Sequence, residues 1–183
     1  MFVLNNKTQL QPGKSWKDDN GLTHPSNWAT AWSTNEKSAY GIKEVEVQEK
    51  PDDTFYWVSG PALDGSWTSK ERSLDDVKTT VDGEEFVTKG LKSQWIAKTK
   101  KTSNTLLAST DWQVVAKAER DRAIDSNVAT YRAAVITKCA AIETSITNAA
   151  DLDAFKALFD VPVDSDGNPT GNAPMYDWPV MGE

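Results

Sequence analysis

The chain has one cysteine, Cys139, and one histidine, His24, in 183 residues. A single cysteine excludes an internal disulfide and a cysteine-based zinc site, and it fits synthesis in a reducing cytosol. A single histidine excludes a multi-histidine metal centre, and any Ser-His-Asp or Cys-His arrangement would have to use it. His24 precedes Pro25 in a turn-like stretch with no nucleophile elbow nearby, so a surface or hydrogen-bonded turn histidine is expected. A phosphate loop is also missing, because Gly13-Lys14-Ser15 lacks the upstream glycine of a P-loop. No apolar run approaches the ~18 residues of a membrane span. The start, Met1-Phe2-Val3-Leu4-Asn5-Asn6, has neither a basic n-region nor a long apolar h-region. No membrane partner and no secretion are therefore expected.

Charge removes a further class. The net charge is −7, and both ends of the chain are acidic. Only residues 91–147 are mildly basic. Acidic ends repel phosphate backbones, so no nucleic-acid partner is expected. Lys98, Lys100 and Lys101 read as a solvated helix face. The carboxylate pairs Asp52/Asp53 and Asp75/Asp76 resemble the acid pairs of glycosidases. Their places beside a proline and at a helix start instead suit turn and cap residues. Asp164-Ser165-Asp166-Gly167-Asn168 begins like a calcium loop but lacks the closing glutamate, so a turn is expected there. No enzyme activity, cofactor or metal is expected.

Tryptophan is abundant, with eight copies, and seven of these precede residue 113. It offers large contact area at low entropic cost, and a small domain cannot easily bury all eight. Some are expected in the core and others on a surface that meets a partner.

Two regimes follow one another, which predicts an α+β chain. A small N-terminal antiparallel β domain (1–90) precedes a helical part (91–160), and a Pro/Gly-rich tail (161–183) ends the chain. In the first part Phe2–Leu4 reads as a strand and Gln11–Thr23 as a hairpin. Ser33 or Thr34 caps a short helix that stops at Gly41. Ile42–Gln48 and Thr54–Ser59 read as strands that pair antiparallel. Asp64-Gly65 and Asp82-Gly83 are tight turns, the second joining Lys78–Val81 to Glu84–Val87. A single small sheet carrying the short helix is expected.

The helical part opens with Leu91–Leu107, whose stripe of Leu91, Trp95, Lys98, Thr102 and Leu106 is only partly apolar. Ser109–Trp112 breaks this pattern, and Trp112, Val114 and Val115 read as a docking segment. From the cap pair Asp125-Ser126 onward, Val128, Tyr131, Val135, Cys139, Ile142 and Ile146 form one unbroken helical stripe. Such a seam needs a partner helix. Residues 91–107 would complete a helical hairpin, and a second copy in a homo-oligomer is the alternative. Asp151–Phe159 reads as a short third helix. In the tail a packed core is not expected, and Met175–Val180 is an apolar patch either tucked onto its own domain or used as a docking peptide.

Leu106-Leu107-Ala108-Ser109-Thr110-Asp111-Trp112, followed by Ala129-Thr130-Tyr131-Arg132-Ala133-Ala134-Val135, resembles the tail-assembly chaperone-like domain of phage tail-fibre assembly proteins. The likeness covers roughly residues 90–147. It rests on Thr110-Asp111-Trp112 and Tyr131-Arg132 standing in the family's order and spacing, and it departs at Val135-Ile136-Thr137-Lys138, where the family has Leu-Arg. His24–Trp28, Tyr40-Gly41-Ile42 and Pro51–Val58 are similar to the start of proteins of marine and cyanobacterial phages. The resemblance implies a helper that binds the phage tail-fibre protein in the host cytoplasm during assembly and in some cases stays on the virion tail. Trp28, Tyr56 and Trp57 are the expected partner contacts. Asp111 and Trp112 are expected to fix the fold, with Trp112 packed on the Tyr131 helix and Asp111 open to pairing with Arg132. Two other readings stand beside this one: a permanent component of the fibre or baseplate, and a carbohydrate-binding module.

Overall fold

The computed structural model describes residues 1–182 and belongs to the α+β class. Contacts divide the chain into two compact units, Met1–Glu71 and Arg72–Glu183. The sequence pattern placed its boundary at residue 90, whereas the hairpin at residues 77–88 lies in the second unit.

The first unit is built on β1 (Phe2–Leu4), flanked antiparallel by β2 (Thr8–Leu10) and by a strand at Ile42–Glu44. Two short strands, β3 (Trp16–Lys17) and β4 (Thr23–His24), form the hairpin expected within Gln11–Thr23. Helix α1 (Trp28–Ala31) follows, and then α2 (Thr34–Ala39). Ser33 caps α2 through a reciprocal box. Its hydroxyl accepts from the Glu36 N–H, and the Glu36 carboxylate accepts from the Ser33 N–H at 2.7 Å. Gly41 takes φ +73° directly after α2, a conformation that favours glycine. The chain then enters β5 (Ile42–Glu44). Leu4, Leu10, Trp16, Trp28 and Ile42 close the core, with Phe2, Ala29 and Trp32 packed against it.

The expected pairing of Ile42–Gln48 with Thr54–Ser59 does not form. Ile42 stands opposite Leu4 in the first sheet. Residues 56–59 form β6 (Tyr56–Ser59), which pairs with β7 (Thr68–Glu71) across the Asp64-Gly65 turn. Alternation shows that a segment suits a strand but does not say which edge receives it. The core claims Ile42, and the nearby turn claims Tyr56–Ser59. The short strands accordingly form four separate small sheets rather than one. β7, with every residue exposed, carries no apolar alternation that would have revealed it.

In the second unit β8 (Val77–Val81) and β9 (Glu84–Thr88) pair across Asp82-Gly83. Helix α3 (Leu91–Ala108) starts two residues after β9. Its first turn is held by the preceding loop: the Leu91 and Lys92 N–H groups donate to the Ser73 and Leu74 carbonyls, and the Gly90 N–H donates to the Asp76 carboxylate at 2.9 Å. These partners satisfy donors that a helix N-terminus leaves open.

After α3 the chain does not remain irregular. Thr110 opens a further helix, α4 (Asp111–Arg120), ended by Asp121 in the left-handed conformation. Helix α5 (Ser126–Asn148) follows, with the Asp125 carboxylate accepting from the Asn127 N–H. Its buried residues are Val128, Tyr131, Val135, Cys139, Ile142 and Ile146, the stripe that the spacing picks out. α3 packs along that stripe, so the seam finds its partner within the chain. On α3 the fully buried residues are Leu91, Thr99 and Ser103, while Lys98 is exposed and folds its ammonium over the Trp95 ring at 3.8 Å. The small side chains of Thr99 and Ser103 suit close helix approach.

Helix α6 (Leu152–Lys156), capped by Asp151, continues through a 3-10 turn to Phe159. Residues 160–172 are exposed throughout. The end of the tail is not: Ala173 and Met175 are buried, the Met175 N–H donates to the Leu158 carbonyl at 3.0 Å, and Lys138 pairs with Asp177 at 2.6 Å. Met175 is thus tucked onto its own helices while Tyr176 and Val180 stay exposed, which corrects the expectation of a tail without packing. Among the described residues no helix is long and apolar enough to cross a membrane.

Candidate partner-binding site

Three of the four motif residues of the second unit, Asp111, Tyr131 and Arg132, meet at the junction of α3, α4 and α5. α5 presents Tyr131 and Arg132 to the end of α3, one turn along its buried stripe from Val128. The Arg132 guanidinium sits where the last carbonyls of α3 lack helical partners. Its Nη1 donates to the Leu107 carbonyl at 3.0 Å, to Thr110 Oγ1 at 2.7 Å and to Asp111 Oδ1 at 2.8 Å. The Tyr131 hydroxyl donates to the Leu106 carbonyl at 3.5 Å. One cation therefore ties the end of one helix to the start of the next.

Trp112 stands apart from this cluster. It is 53% exposed, not packed on the Tyr131 helix as expected. The Arg122 guanidinium lies 5.4 Å from its ring, within reach of a cation–π contact. Because α4 is helical from Asp111, Trp112 and Val115 share one side of it at a three-residue spacing. Val115 is 51% exposed, Val114 is exposed as well, and no residue of α4 is fully buried. An open cleft of about 300 Å³ beside Trp112 is lined by Gln113, Arg122, Ile124 and Asp125. A larger one of about 660 Å³, between α3 and α5, is lined by Ser103, Leu107, Ile136, Cys139 and Glu143. There burial and the neighbouring Glu143 push the Cys139 thiol up, which keeps it a neutral sulfhydryl.

The three contacts expected in the first unit separate. Trp28 is completely buried, its indole N–H donates to the Lys14 carbonyl at 3.0 Å, and Phe2 packs edge-on against it. It is a core residue and cannot meet a partner without unfolding the unit. Its polar atom has a carbonyl to pair with and its ring fills the space under the sheet, a combination that residue spacing did not disclose. Tyr56 is half-buried, whereas Trp57 on β6 is 61% exposed.

His24 is the hydrogen-bonded turn histidine of the two alternatives expected, and it is buried. It stacks on Trp16 at 4.3 Å, is walled by Trp32 and Tyr40, and hydrogen-bonds the Asp18 carboxylate at 3.3 Å. Asp18 also accepts from the Asn20 and Leu22 N–H groups. Burial opposes ionisation of Asp18, but these hydrogen bonds outweigh it and hold the carboxyl below its usual range. The group closes the β3–β4 turn. Asp52 and Asp76 act locally too, accepting from the Thr54 and Gly90 N–H groups. Among the described residues there is no cluster of three metal-ligating side chains. Asp164 accepts from the Asp166 and Asn168 N–H groups, as a turn aspartate does.

Comparison with protein-family models, with curated proteins and with solved structures finds no match for this chain.

Proposed function

We propose that the chain is a phage tail-fibre assembly chaperone or fibre-associated accessory protein, which binds the fibre protein and carries out no reaction. The observation that supports this reading best is the apolar side of α4. Trp112 and Val115 are displayed to solvent on a helix anchored at its first turn by Arg132. Exposed apolar groups on a rigid element mark interaction sites, and tryptophan dominates such sites energetically. Unassembled trimeric fibres expose apolar tips and strand edges that aggregate. A helper that covers them needs an aromatic surface held in place, and α4 offers one. In the first unit Trp57 offers a second exposed ring. The protein then acts in the host cytoplasm while fibres assemble.

Co-expression with the neighbouring fibre gene tests this reading. Soluble fibre yield rises and the fibre protein co-purifies with the chain. Trp112→Ala lowers both while leaving the helical circular dichroism intact. An unchanged yield and no co-purification overturn the proposal. Recovery of the chain in fixed proportion from purified virions marks it instead as a permanent tail component.

A further inference from the structure

The β8–β9 hairpin stands as a two-stranded sheet, and all ten of its strand residues are exposed. Such a hairpin is marginal in water unless further strands or a packed face support it. Val77, Thr79 and Val81 alternate onto one face, and the register places Phe86 opposite Thr79 on that same face. Val77, Val81 and Phe86 are each between 43% and 55% exposed. β8 reads Val-Lys-Thr-Thr-Val, so four of its five residues are β-branched and suited to a pleated surface. It has neither proline nor bulge, and Lys78 is the one charged residue that guards it against pairing.

The turn decides which backbone groups face outward. Asp82 and Gly83 both have positive φ, as a two-residue hairpin turn of the primed type requires. The flanking pair Val81–Glu84 then exchanges hydrogen bonds, and so do Thr79–Phe86 and Val77–Thr88. Lys78 and Thr80 are left with N–H and C=O directed to the open edge.

We propose that this edge is a self-association site, where β8 of a second copy of the chain adds antiparallel about a two-fold axis to give a four-stranded sheet. Three registers match outward groups with outward groups, and charge chooses among them. Pairing Lys78 with Lys78 sets like charges opposite one another. Pairing Lys78 with Thr80 sets Asp76 opposite Asp82. Pairing Thr80 with Thr80 sets each Lys78 opposite Asp82 of the other copy and meets no like pair between residues 78 and 82. This third register also brings Val81 beside Thr79 across the axis, so the two apolar faces join. Lys78 already holds Glu85 at 2.9 Å on its own hairpin and gains a second carboxylate from the other copy. β9 is the poorer edge, because its outward groups run straight into α3, with only Lys89 and Gly90 between them.

Sedimentation equilibrium of the full chain over a concentration series tests this inference, with amide hydrogen exchange read alongside. A reversible dimer forms, and exchange at the Lys78, Thr80 and Asp82 amides slows as concentration rises. Thr80→Pro removes an outward donor without touching a hairpin bond and abolishes the dimer. Asp82→Asn keeps the turn preference, removes both cross-axis ion pairs, and weakens association by about tenfold. Lys78→Glu weakens it further, and added salt weakens the wild type. Exchange at the Thr79 and Phe86 amides, which report the hairpin itself, stays unchanged in Asp82→Asn. A monomer at every concentration overturns the inference, as does a dimer that is indifferent to both Thr80→Pro and Asp82→Asn. The outcome is independent of fibre binding, which is read on Trp112.

Discussion

Arg132 on α5 and Asp111 at the start of α4 meet at 2.8 Å, with the arginine side chain largely buried and the aspartate half in solvent. The same Nη1 reaches the Leu107 carbonyl and the Thr110 hydroxyl. The aspartate is thus the most dispensable of the three acceptors, since exposed ion pairs contribute little, whereas the carbonyl and hydroxyl are partly buried and lose their donor if the arginine goes. Arg132→Ala should destabilise the second unit by about 1–3 kcal/mol, and Asp111→Asn by less than about 1 kcal/mol. Urea denaturation followed at the helical signal checks both, and equal losses in the two variants would contradict this ranking.

The tryptophans should separate by burial. Trp28→Ala removes a fully buried ring and its hydrogen bond to Lys14, at a cost of about 3–5 kcal/mol. Trp57→Ala and Trp112→Ala trim exposed rings and should each stay within about 0.5 kcal/mol of wild type. Thermal unfolding of the three variants is the measurement, and a large loss at Trp112 would assign that residue to the fold.

Gly90 should resist any side chain. A Cβ there would lie 2.4 Å from the Asp75 carbonyl group and from the Leu74 oxygen. Both are backbone atoms of the loop that caps α3, and neither can rotate away. Gly90→Ala is expected to cost about 1–3 kcal/mol and to speed hydrogen exchange in the first turn of α3. Exchange at the wild-type rate there would show that the cap tolerates the change.

Acid should loosen the same cap. The Lys89 ammonium, the Ser93 hydroxyl and the Gly90 N–H lower the Asp76 carboxyl from 3.8 to about 2, against the effect of burial. A carboxyl whose folded value lies below its unfolded value stabilises the fold above the unfolded value. That contribution is whole above pH 3.8 and is lost as pH falls through about 2. Asp76→Asn should therefore be less stable than wild type at neutral pH, and the gap should close across this window. Denaturation midpoints of the two proteins measured from pH 6 to pH 2 check it, and a constant gap would rule out the linkage.

Wherever a segment carries its own instructions, the sequence pattern and the structure agree. The α5 stripe repeats at helical spacing from Val128 to Ile146 and is buried as read. The Ser33–Glu36 box and the Asp82-Gly83 hairpin are local chemistry and stand where expected. The order Thr110-Asp111-Trp112 and Tyr131-Arg132 likewise suggested a meeting of Asp111 with Arg132. The pattern misplaces Trp112 because it does not disclose α4. With five polar or charged residues among its ten and no buried face, that helix shows no core stripe to read.

Local propensity, caps, turn residues and one unbroken apolar seam were enough to determine the α+β class, most helices and two of the hairpins, β3–β4 and β8–β9. Only the tertiary structure decided which strand pairs with which, which tryptophans lie inside, and whether the tail packs. Those outcomes depend on competition between distant segments for one buried surface. Ile42 went to Leu4, Trp28 to the space beneath the first sheet, and Met175 to the helices beside Leu158. Residue type states how much a side chain gains from burial, but the fold determines where there is room to bury it.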